Sequence, residues 1–250
     1  TYVSWNWKAG GSASSNTNGT ITSSVSVNAA AGFSIVSWTH GSGSQSIGHG
    51  LSQKPDMMIV KKRSGVSSFW TWHKGLSSET QSFIHVNTSS AAGANANAWN
   101  NQAPTASVFY QKEYILSNND TGIAYCFHSV EGYSKVGSFI GNGNVDGAFV
   151  HCGFKPAFLL FRRSTETGSW FMFDNARGTT YNVGLNFDNV RDNKLNAEAN
   201  YAEDADSSWN IDFLSNGFKL RSPHVYMNGN NLTHIFIAFA ESPFKHTNAH

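Results

Sequence analysis

The chain has 250 residues, enough for one large domain or two smaller ones that each bury a hydrophobic core. Only 13% of the residues are charged and 14% are aromatic, with 23 Gly and 5 Pro, which excludes a disordered chain and a coiled coil. The net charge of +1 gives no electrostatic reason to expect a nucleic-acid partner, and no apolar run approaches the roughly 18 residues of a membrane span.

The first predicted element is a strand over Tyr2–Trp7, followed by a linker over Gly10–Ala31 that is rich in Ser, Thr, Asn, Gly and Ala. The chain opens with Thr1 rather than Met. Its first eleven residues lack the basic and then apolar layout of a signal peptide. We therefore expect a fragment, a processed product or a trimmed sequence.

Two short apolar runs, Met57–Val60 and Ala157–Phe161, follow a Lys-Pro and lead into two basic residues. Their length and bulky side chains predict strands buried on both faces, because a helix would need roughly ten residues or more. Aromatic strands over Ser68–His73 and Ser169–Asp174 follow them after short stretches of turn residues. Each run and its aromatic strand therefore predict a hairpin.

Further strands are predicted at Phe83–Val86 and Phe218–Leu220, where apolar and polar residues alternate. Gly41–Ser44 and Gly141–Asn144 are predicted to be matched turns, because their glycines readily adopt positive φ. Asn189–Ala205 has the only plausible helix formers, and its Asn and Asp content makes a loop an equal alternative.

The sequence contains an internal repeat, because five segments recur in the same order. The offset between matched segments grows from 100 (132 minus 32) to 114 (237 minus 123), as loop insertions would produce. The segments of the first unit are Gly32–Ser34, Lys54–Lys62, Phe69–His73, Ala98–Asn100 and Ile123–Phe127, and their counterparts are Gly132–Ser134, Lys155–Arg163, Trp170–Asp174, Ser208–Asn210 and Ile237–Glu241.

Two homologous units thus fill Gly32–Lys245, and the predicted fold class is all-β: two β-sandwich or Greek-key barrel modules in tandem with an N-terminal strand arm. The predicted boundaries are 1–31 for the arm and linker, 32–131 for the first module and 132–250 for the second. The strand at Tyr2–Trp7 resembles the closing segment of each unit. It is either the last strand of a preceding unit or a strand that completes the first sheet, and an unrelated aromatic arm is the alternative.

No catalytic frame is recognisable, since the sequence has neither a G-x-S-x-G elbow nor a Gly-rich phosphate loop. His128 and His151 lie near Cys126 and Cys152 in sequence, but such proximity is weak support for a thiol–imidazole pair. Two buried free thiols are the favoured interpretation of the cysteines, and one disulfide is the alternative. The ten histidines, His40 and His49 included, do not occur at zinc-ligand spacing.

An acidic stretch in the second unit could supply oxygen ligands to Ca²⁺, although it lacks EF-hand spacing and has no counterpart in the first unit. A solvated acidic loop is the favoured interpretation, and no other cofactor is expected. The candidate metal ligands are Asp188, Asp192, Asp204 and Asp206.

Exposed aromatic rings stack on sugars, and polar neighbours hydrogen-bond to hydroxyls. On this basis the candidate ligand-binding residues are Trp38, His40, Trp72, His73 and Asp174. Most of the eight tryptophans, Trp99 and Trp209 among them, are predicted to be core residues because aromatic residues recur at matched positions in both units.

Several segments together resemble the C-terminal region of large tail or virion-associated proteins of marine bacteriophages. In those proteins the region often follows a concanavalin-like or laminin-G-like β-sandwich. The resemblance implies a structural or host-binding role on a virion and supplies no catalytic residues. The segments that carry it are Trp5–Gly11, Ile123–Ser134, Gly141–Asn144, Gly147–Val150, Gly153–Phe158, Asn216–Arg221 and Ala238–Lys245.

We therefore expect a structural or host-recognition module of a phage tail or fibre, with a cell-surface polysaccharide as the specific ligand hypothesis and no enzymatic activity. The resemblance implies other tail subunits and a host glycan or protein as partners. It also implies a homo-oligomer, commonly a trimer, made in the host cytoplasm and located in the virion tail. Neither nucleic acid nor membrane insertion is expected.

Two alternatives remain: a secreted carbohydrate-binding module of a marine bacterium, and a polysaccharide depolymerase. A depolymerase needs two carboxylates that face each other across a groove. None of the candidate carboxylates repeats between the two units. They are Glu79, Glu113, Asp120, Glu131, Asp146, Glu166 and Asp174.

Overall fold

The computed structural model describes residues 4–177 and 190–242. These residues form twenty strands, 3₁₀ turns at Ala29–Ala31 and Ser207–Trp209, and a single turn of helix, α1 (Val225–Asn228). The first ten strands are β1 (Ser14–Asn16), β2 (Ser23–Asn28), β3 (Phe33–Thr39), β4 (Gln45–Gly48), β5 (Met57–Lys62), β6 (Trp70–His73), β7 (Ser82–His85), β8 (Gly93–Ala94), β9 (Val108–Gln111) and β10 (Thr121–Phe127). The other ten are β11 (Ser134–Ile140), β12 (Phe149–His151), β13 (Pro156–Arg163), β14 (Phe171–Asp174), β15 (Val190–Arg191), β16 (Asn193–Asn196), β17 (Asp204–Ala205), β18 (Ile211–Leu214), β19 (Gly217–Leu220) and β20 (Thr233–Ala240).

The predicted all-β fold is confirmed. The strands form two large sheets, in the orders β1-β2-β3-β10-β5-β6-β7-β8 and β11-β20-β13-β14-β16-β17. Two small sheets, β4-β9 and β12-β19-β18-β15, complete the described residues. We refer to β1–β10 as the first module and to β11–β20 as the second.

The two modules share their strand order, because β3-β10-β5-β6-β7-β8 matches β11-β20-β13-β14-β16-β17 position by position. Both predicted hairpins form, as antiparallel β5–β6 and β13–β14 pairs. The matched turns also agree in backbone conformation: Gly43 has φ 75° and Gly143 has φ 66°, values at which a Cβ would be strained. The order of the strands thus follows the sequence repeat.

The N-terminal segment differs from its prediction. Of the predicted strand Tyr2–Trp7, Tyr2 and Val3 lie outside the described residues, and residues 4–7 form no strand. The predicted linker contains β1 and β2, of which β2 pairs with β3 and extends the first large sheet. In β2, Val25 and Val27 point toward the core while serines occupy the alternate positions. The alternation of apolar and polar residues in β2 was overlooked because the stretch is rich in serine.

A second correction concerns Asn189–Ala205, for which a helix or a loop was expected. The described part of this stretch contains the short strands β15, β16 and β17 and no helix, and residues 197–203 between β16 and β17 form a loop. Asn193 and Lys194 in β16 pair with Ala205 and Asp204 in β17. Sheet neighbours supply hydrogen-bond partners here, so tertiary pairing overrides a polar local sequence.

Each module has a sandwich core between its large and its small sheet. In the first, Val36, Val60 and Ala124 of the large sheet meet Ile47 and Phe109 of the small sheet. In the second, the corresponding cluster combines aromatic and aliphatic residues of the two sheets, among them Leu159, Phe161, Phe213, Phe218, Leu220 and Phe236.

A third core lies between the modules, where the outer faces of the two large sheets pack together. This core contains Met57 and Ile84 of the first module and Leu160, Trp170 and Ile237 of the second. The central strands of both large sheets are therefore buried on both faces, as predicted for Met57–Val60 and Ala157–Phe161.

Polar contacts reinforce the inter-module core. Trp170 Nε1 donates to the His85 carbonyl (2.8 Å), and the His73 ring hydrogen-bonds through Nε2 to the Phe236 carbonyl (3.2 Å).

No helix among residues 4–177 and 190–242 is long and apolar enough to cross a membrane.

Candidate functional site

The five candidate ligand-binding residues lie in the interior. Trp38, His40, Trp72, His73 and Asp174 are each at most 5% exposed. Trp72 is fully buried in the core of the first module, and its Nε1 donates to the Glu79 carbonyl (2.8 Å). In this conformation none of the five presents a free face to a sugar.

Two of these residues have the same structural role in the two modules. His73 Nδ1 accepts a hydrogen bond from the Gly75 N–H (2.9 Å), two residues along the chain. Its repeat counterpart Asp174 accepts through Oδ1 from the Ala176 N–H (3.0 Å), at the same spacing. Both side chains fix the turn that follows an aromatic strand, which explains a polar residue at this buried position.

His40 is buried directly after the end of β3. Its backbone N–H donates to the Asp120 carbonyl (2.8 Å), while neither ring nitrogen has a hydrogen-bond partner among the described residues. The Trp38 indole and the Gln111 side-chain amide are also buried without partners there. Burial lowers the pKa of His40, which favours its neutral form.

The acidic residues of the second module are engaged within the protein. Asp188 lies outside the described residues, and Asp192 is fully buried. Asp204 pairs with Lys194 (2.9 Å) and accepts from Trp209 Nε1 (2.9 Å), and Asp206 caps the 3₁₀ turn at Ser207–Trp209. In the described ranges no three His, Cys, Asp or Glu side chains group closely enough to hold a metal ion.

The candidate catalytic carboxylates mostly form ion pairs. Side-chain hydrogen bonds from Lys62 and Ser64 lower the pKa of Asp120 to about 2. Contacts with Lys219 lower the pKa of Asp146. A general acid needs the opposite shift, so neither carboxyl has the environment of one. Glu79, Glu166 and Asp174 pair with Lys54, Arg163 and Arg177, respectively.

A polar cleft of about 320 Å³ lies at the edge of the first module, between β1 and the loops around residues 50 and 107. Val25 and Val27 are among its lining residues, and the others carry hydroxyl or amide groups or are small. Within the described chain, the Asn18 amide and all four lining serine hydroxyls lack hydrogen-bond partners. The lining residues are Ser14, Ser15, Asn16, Asn18, Val25, Val27, Gly50, Ser52, Ala106 and Ser107.

A second cavity, the interface pocket, has a volume of about 420 Å³ and lies between the outer faces of the two large sheets. Ring contacts place the arm beside it, with Trp5 and Trp7 5.2 and 5.8 Å from the Phe158 ring, measured between centroids. The lining residues are Trp5, Trp7, Phe33, Ile35, Met57, Ile59, Val86, Tyr125, Phe127, Phe158, Leu160, Met172, Ala197, Ile237 and Phe239.

In the comparison with known families, a family described as a domain of unknown function (DUF7483) matches residues 1–243. The chain belongs to this family. Searches of curated proteins and of solved structures gave no match. The match includes the arm and both modules, so the family's domain comprises the whole double sandwich and not one repeat.

The predicted free thiols are confirmed, since Cys126 and Cys152 are both unbonded and buried. Burial raises the pKa of each thiol to about 12, which removes the reactive thiolate near neutral pH. We expect no reaction of the native protein with an aromatic disulfide reagent at pH 8, and reaction of both thiols after denaturation. One rapidly reacting thiol in the native protein would contradict the structure.

Sequence reasoning missed both cavities. The polar cleft is built on β1 and β2, which the composition of Gly10–Ala31 suggested were a linker. A signal was available there, since Ser24–Asn28 alternates serine with valine. No comparable signal exists for the interface pocket, whose walls come from strands far apart in the sequence.

Proposed function

We propose that the chain is a structural and host-recognition module of a bacteriophage tail or fibre protein, which binds a cell-surface polysaccharide in the polar cleft. The resemblance to marine phage tail proteins supports the virion location. The polar cleft carries the ligand hypothesis, because its free hydroxyl and amide groups suit a neutral sugar.

The chemistry of the cleft matches that of a glycan. Serine hydroxyls both donate and accept hydrogen bonds, and the Asn18 amide does the same through two different atoms. The half-buried Val27 offers apolar surface to the C–H groups of a sugar ring. The cleft has no lysine, arginine or carboxylate in its lining, which favours an uncharged saccharide over an acidic one.

A single open cleft of this size binds weakly, and a fibre compensates by repetition. Linking copies raises the apparent affinity by about 10²–10⁴ when several sites engage together. We therefore propose a homo-oligomer, with a trimer as the expected form, attached to other tail subunits. The apolar core and the hydrogen bonds between the modules suit a part that holds its binding surface in a fixed orientation.

The ion-paired carboxylates support a binding role over a depolymerase. A direct test is to incubate a bound polysaccharide with the oligomeric protein and to measure new reducing ends. Their appearance would overturn the non-enzymatic proposal while leaving the cleft as a substrate site.

We expect the oligomeric protein to bind neutral polysaccharides on a glycan array and on host cells, and the double variant Ser52→Gly/Ser107→Ala to bind about tenfold more weakly. Each lost hydroxyl removes a hydrogen bond worth about 0.5–1.5 kcal/mol. Glycine suits the position of Ser52, whose φ is 61°.

The matched control is Ser138→Ala/Ser207→Ala, which removes two exposed hydroxyls from the second module. It should bind like the unmodified chain. Absence of binding by an oligomeric, folded sample on both the array and host cells would remove the recognition proposal. Equal loss in both double variants would remove the cleft as its location.

A further inference from the structure

The interface pocket has the chemistry of a hydrocarbon site. Its fifteen lining residues carry no charge and no amide, and the Tyr125 phenol is the only hydroxyl among them. The volume of about 420 Å³ lies in the range of about 300–1,000 Å³ typical of small-ligand sites. Flexible Met57 and Met172 side chains can adapt to a chain of variable shape.

A cation that has no anionic partner among the described residues lies beside this pocket. Lys61 follows the lining residue Ile59 by two positions in β5, so both side chains leave the same face of the sheet. Lys61 Nζ lies 4.7 Å from the centroid of the Phe69 ring and donates to the Ser67 carbonyl. The Phe69 carbonyl accepts from the N–H of Val86, which also lines the pocket.

The neighbouring lysine, Lys62, differs from Lys61 because it forms an ion pair on the opposite face of β5. Lys62 points to the opposite face of β5 and pairs with Asp120 at 2.7 Å. Among the described residues no carboxylate lies within 4.0 Å of Lys61, and exposed Lys8 and Arg63 also form no ion pair. The pocket therefore combines an apolar interior with an unneutralised cation beside it.

We propose that the interface pocket binds a single-chain carboxylate amphiphile, a fatty acid of medium length, with its alkyl chain between the sheets and its carboxylate at Lys61. Charge complementarity selects an anion at the head, and the predominantly apolar lining selects an alkyl tail. The site is separate from the polar cleft, so either proposal can fail without the other.

The arm forms a wall that can yield to a ligand. Residues 4–7 have no regular secondary structure, and the arm is held by hydrogen bonds of Asn28 to the Lys8 carbonyl (3.2 Å) and of Ser26 to the Gly11 carbonyl (2.7 Å). The same wall supplies two tryptophans as reporters. An alkyl chain that carries bromine near its end would quench Trp5 and Trp7.

The test is titration of the full chain with dodecanoate below its micelle concentration, followed by calorimetry, and with 11-bromoundecanoate, followed by tryptophan fluorescence. We expect saturable binding and quenching. Ala197→Phe places a ring in the pocket and should abolish both. Lys61→Met keeps the aliphatic stem and should weaken dodecanoate about tenfold while leaving dodecanol unchanged.

Lys112→Met is the matched control, because Lys112 is exposed and remote from the pocket, and it should bind dodecanoate normally. No saturable binding, or binding that folded Ala197→Phe retains, would overturn the site. Unchanged dodecanoate affinity in Lys61→Met would overturn the head-group assignment. Self-association that Ala197→Phe abolishes in the absence of amphiphile would mean that a second copy fills the pocket, which also overturns the proposal.

Discussion

Replacing Arg162 with methionine will lower the free energy of unfolding by about 3–5 kcal/mol, the range for removal of a buried, multiply hydrogen-bonded cation. Arg162 belongs to β13 and is fully buried. From the second module its guanidinium donates to three consecutive backbone carbonyls of the first: Thr88 (3.1 Å), Ser89 (3.2 Å) and Ser90 (2.8 Å). Methionine fills similar volume but leaves these carbonyls without their donors.

Arg162 works as a clamp between the modules. It has no carboxylate among the described residues within 4.0 Å, and its charge is met by carbonyl oxygens and by the Trp170 ring at 5.4 Å. Burial lowers its pKa to about 10, so the side chain remains a cation at neutral pH. The sequence Arg162-Arg163 gave no sign of this role, since paired basic residues after a strand are ordinarily solvated.

Urea unfolding measures the effect, and at about 2–4 °C per kcal/mol the melting temperature should fall by roughly 10 °C. Arg63→Met is the control: Arg63 is exposed and unpaired among the described residues, so its loss should change the free energy of unfolding by less than about 0.5 kcal/mol. A cost below about 1 kcal/mol for Arg162→Met would contradict the clamp.

Lowering the pH from 7 to 4 will strongly destabilise the fold, because three buried histidines must remain neutral in it. Burial lowers the pKa of His49, His73 and His234 from 6.5 to about 4. Above pH 6.5 both the folded and the unfolded states are neutral at these sites. Between pH 6.5 and 4 only the unfolded state binds protons, so stability falls as the pH falls.

Hydrogen bonds explain why the folded state resists protonation. In His49 and His73, Nδ1 accepts a backbone N–H from Leu51 (3.2 Å) and Gly75 (2.9 Å), and Nε2 faces the carbonyls of Thr105 and Phe236. The neutral tautomer with hydrogen on Nε2 satisfies both contacts. A proton added to Nδ1 would point at the backbone N–H that this nitrogen accepts and would remove that hydrogen bond.

The expected cost is about 2 kcal/mol per histidine at pH 5, from the difference between the two pKa values. Urea unfolding at pH 7, 6, 5 and 4 measures this cost. In His73→Gln the free energy of unfolding should fall less steeply with falling pH, by the contribution of one histidine. His151→Gln, at an exposed position, is the control and should leave the slope intact. Stability that is flat from pH 7 to 5 would refute this assignment. Carboxylates such as Asp120, whose pKa is lowered to about 2, act only at lower pH.

The fold was largely predictable because strand length, aromatic content and the repeat can all be recognised in short segments of the sequence. Met57–Val60 and Ala157–Phe161 are too short for a helix and too apolar for a loop, and both are central strands. Gly43 and Gly143 mark left-handed turns that few other residues tolerate. β2 was missed because its inward positions alternate with serines inside a polar stretch.

The candidate site was not predictable in the same way. Trp72 and His73 have the composition of a sugar site, and alternation gives the face on which each lies, but it does not reveal what covers that face. The third core covers the face of His73, and the sandwich core covers that of Trp72. The central strands of both large sheets are consequently buried on both sides, and the polar cleft lies at the edge of the first module.

The low charge and the high aromatic content indicated, without a structure, a β-rich protein with large cores, and the internal repeat indicated two related units. Only the tertiary structure decided that there are three cores rather than two, because packing between the modules depends on the outer faces of strands that are far apart in the sequence. The same packing buried the aromatic candidates. It also created the interface pocket, since a cavity between two sheets is a property of their mutual placement and not of any segment.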